Sequence, residues 1–145
     1  MKQHDVKEVN LYYVTVSTDK TSARGIVKPG TSQQEYISKR MSKLLSDEPN
    51  MKLVGYLTIE NITKARLERI EHEIKDDMVE AGFLHLGNDH FSFKFNRTGK
   101  RSKQYDFVAN AILYRAIMYC QRYHHKFTVT KLRSEERFSR NAETD

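Results

Sequence analysis

Cysteine is nearly missing from this chain, tryptophan is wholly missing, and only two prolines occur in 145 residues. The lone Cys120 cannot close an internal disulfide. The fold must therefore rest on its core, and a cytosolic setting follows. Cys120 falls in an apolar stretch and reads as a small buried hydrophobe rather than a nucleophile. Long apolar runs are lacking too. A bilayer span takes roughly 20 apolar residues, so no membrane partner is expected. The opening Met1-Lys2-Gln3-His4-Asp5 lacks the apolar stretch of a secretory signal.

What is present describes a globular domain. Hydrophobic residues make up 38% and charged residues 30%, a balance that folds rather than stays open. The length suits one domain with a real core. The net charge is +6, and its distribution says more than its size. Residues 1–93 hold 13 Lys and Arg against 14 Asp and Glu, a net of −1. Residues 94–145 hold 12 against 5, a net of +7. A positive excess confined to one segment is the footprint of phosphate binding. Here the cations are interleaved with Tyr105, Tyr114, Tyr119, Tyr123 and Phe127 rather than clumped.

Asn10–Ser17 reads as a strand rich in Tyr, Val and Thr. Gly25–Lys28 reads as a second strand, closed by Pro29-Gly30. Ser32-Gln33-Gln34-Glu35 has the form of a capping box. The helix behind it sets Ile37, Met41, Leu44 and Leu45 on one stripe and Tyr36, Arg40 and Lys43 beside it. Met51–Ile59 is a third strand. Asn61 is a candidate cap for a second helix with the stripe Leu67, Ile70, Ile74 and Met78, ended by Gly82. Short strands are expected at 83–86 and 90–95, around the turn Gly87-Asn88-Asp89. Residues 96–102 form the linker candidate. A third helix over 104–123 would bury Phe107, Ala111, Tyr114 and Met118. Past Lys131 the chain is charged and predicted loose.

Two short patterns carry the chemistry. One is Lys28-Pro29-Gly30-Thr31 with Arg40 beyond it. The other is Leu67-Glu68 with His72 one helical turn further on. Upstream lies Leu11-Tyr12-Tyr13-Val14. A tyrosine strand, a turn ending in glycine, an arginine on one helix and a glutamate on the next resemble the GIY-YIG nuclease active site. The likeness spans 11–95. It is greatest to the phage-associated branch, in which Lys-Ile-Gly stands at the second motif. Leu53-Val54-Gly55-Tyr56 also resembles the family's third strand. The chain departs from the pattern at Asn10, Pro29, the spacing from Gly30 to Arg40, and the pair His90-Phe91.

The resemblance implies an α/β (α+β) fold: a small three-stranded antiparallel sheet flanked by helices, a nuclease core over 1–95 and a basic helical extension over 96–145. It implies a phage or mobile-element endonuclease that hydrolyses double-stranded DNA, nicking one strand per site, with Mg²⁺ or Mn²⁺. The host would be bacterial, and the protein a monomer or weak dimer in its cytoplasm. Glu68 would hold the metal, because Mg²⁺ is often bound by one or two carboxylates plus phosphate. Arg40 would clamp the phosphate through its guanidinium fork. Tyr12, or its neighbour Tyr13 on the opposite strand face, would sit by the attacking water. Lys28 would donate to phosphate or tyrosinate, and His72 would orient water or phosphate. The basic residues Lys100, Arg101, Lys103, Arg115, Arg122, Lys126, Lys131 and Arg133 would hold the duplex. Two other functions fit the residues: a non-catalytic nucleic-acid binder using the same cations and aromatics, and a protein that engages a host factor.

Overall fold

A computed structural model describes residues 10–33 and 36–132. The elements run β1 (Asn10–Ser17), β2 (Gly25–Gln33), α1 (Ile37–Asp47), β3 (Met51–Ile59), α2 (Lys64–Glu80), β4 (Leu84–Gly87), β5 (His90–Phe93), α3 (Arg101–Arg122) and β6 (Phe127–Lys131). The strands form one six-stranded sheet in the order β4-β5-β2-β1-β3-β6. Every pairing in it is antiparallel. The expected three strands are its centre. The β4–β5 hairpin extends one side and β6 the other, so the expectation of a three-stranded sheet is corrected to six.

The centre forms first in the logic of the sequence. All eight residues of β1 are buried, since helices cover both faces and strands flank both edges. Alternation then divides its side chains. Tyr12, Val14 and Val16 point into the main core with Leu67, Ile70 and Ile74 of α2 and Ala109, Leu113 and Ala116 of α3. Tyr13 points the other way, into a smaller cluster with Met41, Leu44 and Leu53 beneath α1. The three polar residues that β1 buries are satisfied, Ser17 Oγ accepting from Asp19 N at 3.1 Å. Asn10 Nδ2 donates to Ile59 O at 3.2 Å, and Thr15 Oγ1 donates to Lys28 O at 3.0 Å.

Several local expectations are corrected. Pro29-Gly30 does not end β2; the strand continues to Gln33 opposite Asn10. Proline is tolerated because β5 pairs with β2 only through Gly25–Val27, leaving Pro29 on an open edge. Ser32 lies inside β2 against Leu11 and caps no helix; Gln34 and Glu35 lie outside the described residues. The cap of α2 is Thr63, whose hydroxyl accepts from Arg66 N at 3.1 Å. Asn61 sits instead in the left-handed region at φ 49°.

The largest correction concerns α3. It buries Tyr105, Ala109, Ile112, Leu113, Ala116, Tyr119 and Cys120. Phe107 and Tyr114, expected inside, are 76% and 63% exposed. Ile112 and Leu113 anchor the buried stripe, and its small residues allow close packing. Ala109 and Ala116 let the helix approach the sheet. Gly55 supports the same approach, since a Cβ there would lie 2.8 Å from Leu113 Cδ1. Residues 96–102 do not separate α3 from the sheet. Arg101 donates to Ser22 O at 2.6 Å and lies 4.3 Å over the Phe95 ring.

Candidate functional site

The stretch of β2 beyond Val27 is where the predicted site residues gather, on two sides of the sheet. Among the described residues no strand pairs with the outer side of Lys28–Gln33. On the α1 side, Gly30 lies opposite Tyr13. The glycine leaves room for the ring, as a Cβ there would fall 2.5 Å from Tyr13 Cζ. Arg40 reaches down from α1. Its Nε donates to Tyr13 Oη at 3.2 Å, and its guanidinium carbon lies 5.8 Å from the ring centroid. Between the two predicted tyrosines, it is Tyr13 that meets Arg40.

Lys28 lies two residues from Gly30 and so on the same face. Its Nζ donates to Glu48 Oε2 at 2.5 Å. Glu48 caps the C-terminus of α1 and also takes a short hydrogen bond from His90 Nε2. Burial opposes ionisation of Glu48. The hydrogen bonds from Lys28 and His90 outweigh it, and the carboxyl titrates below its ordinary range. His90 Nδ1 lies 3.3 Å from Gly87 O. Both ring nitrogens thus face acceptors, and both bonds form together only when the ring carries two protons.

On the α2 side stands Tyr12, fully buried. Its hydroxyl meets no hydrogen-bond partner among the described residues. Burial, then the charges of Glu71 and Asp89, push its pKa well above the ordinary value. It is a neutral phenol inside the core. Glu71 and Asp89 are bridged by Lys75, at 3.3 and 2.5 Å from its ammonium. Burial works against the charge of Lys75, but Asp89 and Glu71 more than offset it and raise its pKa. Thr31 Oγ1 reaches Glu71 Oε1 at 3.4 Å.

Glu68 is exposed one turn before Glu71. It lines a recess of about 340 Å³ with Thr31, Ser32, Gln33, Lys64 and Leu67. His72 is exposed on the same helix. Among the described residues, no three or more His, Cys, Asp and Glu group to hold a metal. The recess offers oxygen donors from Glu68, Thr31, Ser32 and Gln33, the ligand type that a hard cation accepts. Arg40 and Glu68 therefore flank the same end of β2 from opposite faces of the sheet.

The predicted DNA-binding residues are scattered. Lys100 and Lys103 are exposed at the start of α3. Arg101 is engaged by the carbonyls of Ser22 and Lys20. Arg115 is 3.8 Å from Asp77, and Arg122 lies 5.2 Å over the Tyr119 ring. Lys126 and Lys131 are exposed around β6. Arg133 lies outside the described residues.

Glu48, His90, Glu71, Lys75 and Asp89 were not predicted as site residues. No local motif marks them. They meet Lys28 and Tyr12 only through the pairing of β5 with β2 and the docking of α1 and α2. The fold and this edge define an α+β protein built on one all-antiparallel sheet, with a polar site at a strand edge that no strand covers among the described residues. No family model, no curated protein and no solved structure matches the chain. Among the described residues no helix is long and apolar enough to cross a membrane.

Proposed function

We propose that the chain is a metal-dependent DNA endonuclease that hydrolyses one phosphodiester per site at the open edge of β2. The observation that carries this reading is the placement of Arg40 and Glu68 on the two flanks of residues 30–33, where among the described residues no strand pairs with the outer side of β2. Arg40 binds the scissile phosphate, its fork matching two phosphate oxygens. The hydrogen bond to Tyr13 sets the direction of the guanidinium. Tyr13, whose hydroxyl meets Arg40, rather than Tyr12, takes the part beside the attacking water.

Glu68 and the oxygens of Thr31 and Ser32 would hold a Mg²⁺ or Mn²⁺ whose other ligands are water and phosphate. Such a metal supplies charge stabilisation at the leaving oxygen. His72, one turn along α2, orients water or phosphate. Lys28 acts through Glu48, fixing the C-terminal end of α1 and hence the helix that carries Arg40. With a single set of these residues per chain, a monomer nicks, and a double-strand break needs two encounters.

Glu68→Ala tests the reading. It should abolish metal-dependent cleavage of a labelled duplex while affinity changes little. Residual cutting at a measurable rate would sink the role of Glu68.

A second reading, nucleic-acid binding without cleavage, is favoured by one observation. Lys28, Glu48 and His90 saturate one another, as do Glu71, Lys75 and Asp89. Under that reading Glu68→Ala alters nothing, and wild type binds DNA but leaves it intact.

A further inference from the structure

The outer face of α3 is apolar and aromatic where a helix covering a sheet should be polar. Phe107 and Tyr114 are 76% and 63% exposed, and Ala111 is exposed between them. They fall on one stripe, because residues 7 apart lie two turns apart on the same face. Lys103 precedes Phe107 by one turn on that stripe, and Arg115 and Arg122 border it. The helix carries four basic residues and one acidic residue. This face is turned away from the sheet and away from Arg40, which lies beneath α1 on the other side.

We infer that the outer face of α3 is a stacking surface for single-stranded nucleic acid. The two rings stand about 10 Å apart along the helix axis at 1.5 Å per residue. That is about three stacking intervals at 3.4 Å per nucleotide, enough for two bases between the rings. Ala111 and Asn110 floor the gap: the alanine leaves it open, and the amide can reach a base edge. Lys103 and Arg115 meet the phosphates on either side. A duplex does not fit, because its bases cover one another's faces and leave none for the rings. A second copy of the chain does not fit either. Its own Lys103, Arg115 and Arg122 would meet like charges across a self-facing stripe. Charge complementarity selects a polyanion, and the projecting rings select one with unstacked bases.

The inference shares a nucleic-acid partner with the proposed nuclease but needs no cleavage. It is therefore tested in EDTA, where a metal-dependent reaction is silent. The probe is a fluorescein-labelled dT 15-mer, read by anisotropy, with an unlabelled duplex of equal length as competitor. Phe107→Ala and Tyr114→Ala should each weaken binding by about tenfold or more, with the salt dependence unchanged. Phe107→Tyr and Tyr114→Phe should bind as wild type does. Lys103→Gln should flatten the salt dependence by about 0.7 in log–log slope. Circular dichroism checks that the variants fold, as expected for exposed positions. Three results would overturn the inference. The alanine variants could bind within twofold of wild type. Leucine at both positions could restore full affinity, marking a merely apolar contact. Sedimentation could show a dimer that the alanine variants dissociate.

Discussion

Gly30→Ala is the substitution that most directly probes the α1 face. An added Cβ would stand 2.5 Å from both Cζ and Oη of Tyr13 and 2.9 Å from Cε1. Ordinary contact starts at 3.4 Å, so the ring must retreat by nearly an ångström. It has little room to do so, being 1% exposed and enclosed by Met41, Leu44 and Leu53. Overpacking of this kind costs about 1–3 kcal/mol. Losing the Arg40–Tyr13 hydrogen bond adds about 1 kcal/mol. Gly30 is not at positive φ, so alanine also recovers about 0.4–1 kcal/mol through the unfolded chain. The net expectation is a loss of about 2 kcal/mol. That corresponds to roughly 4–8 °C in Tm for a chain of this size. Urea titration followed by circular dichroism should show a lower midpoint with an unchanged slope. In a Tyr13→Leu background the clashing atoms are gone, and the penalty should largely vanish, a coupling that a double-mutant cycle isolates. A wild-type midpoint for Gly30→Ala, or an equal penalty in both backgrounds, would refute the packing described for Tyr13.

Arg40→Ala should slow cleavage by about two to three orders of magnitude, in the range of a lost charge-stabilising donor; a change below tenfold would make Arg40 a structural residue. Glu48→Gln should destabilise the protein at neutral pH. Because the folded carboxyl titrates below its ordinary value, the gap to wild type is full above that value and closes as pH falls through the folded one; a gap independent of pH would contradict the Lys28–Glu48–His90 cluster. Tyr119 Oη donates to Asp77 Oδ2 at 2.6 Å, and burial with that carboxylate pushes its pKa up to about 12. Tyr119→Phe should cost about 1 kcal/mol. That gap should hold below the ordinary tyrosine value of 10.0 and shrink as pH rises towards about 12. Alkaline melts of the two proteins that diverge rather than converge would refute it.

The central strands and α2 were legible because their patterns are local. Leu67, Ile70, Ile74 and Met78 repeat at helical spacing and are the buried residues of α2. The run at 10–17 is rich in Tyr, Val and Thr, and forms β1. The face of α3 was not legible. Phe107 and Tyr114 are far larger side chains than Ala109 and Ala116, yet close approach to Gly55 and the sheet favours the small residues. Strand β6 escaped notice because Phe127–Lys131 is only five residues long, and its place is set by pairing with Gly55–Ile59. At the site, Arg40, Tyr13 and Gly30 were all marked by sequence order, but strand parity decides which tyrosine Arg40 meets. Glu48 joins Lys28, 20 residues before it, and His90, 42 residues after it, and nothing local encodes that.

The central claim is phosphodiester hydrolysis at the edge of β2, and supercoiled plasmid tests it most directly. Wild type, Arg40→Ala and Glu68→Ala are each incubated with the plasmid, with Mg²⁺ and with EDTA, and the products are resolved on a gel. The account predicts open-circle DNA from wild type with Mg²⁺ alone, and supercoiled DNA in every other lane. Intact plasmid from a folded wild-type protein that demonstrably binds it, with Mg²⁺ and with Mn²⁺, would contradict the claim and leave the chain a binder.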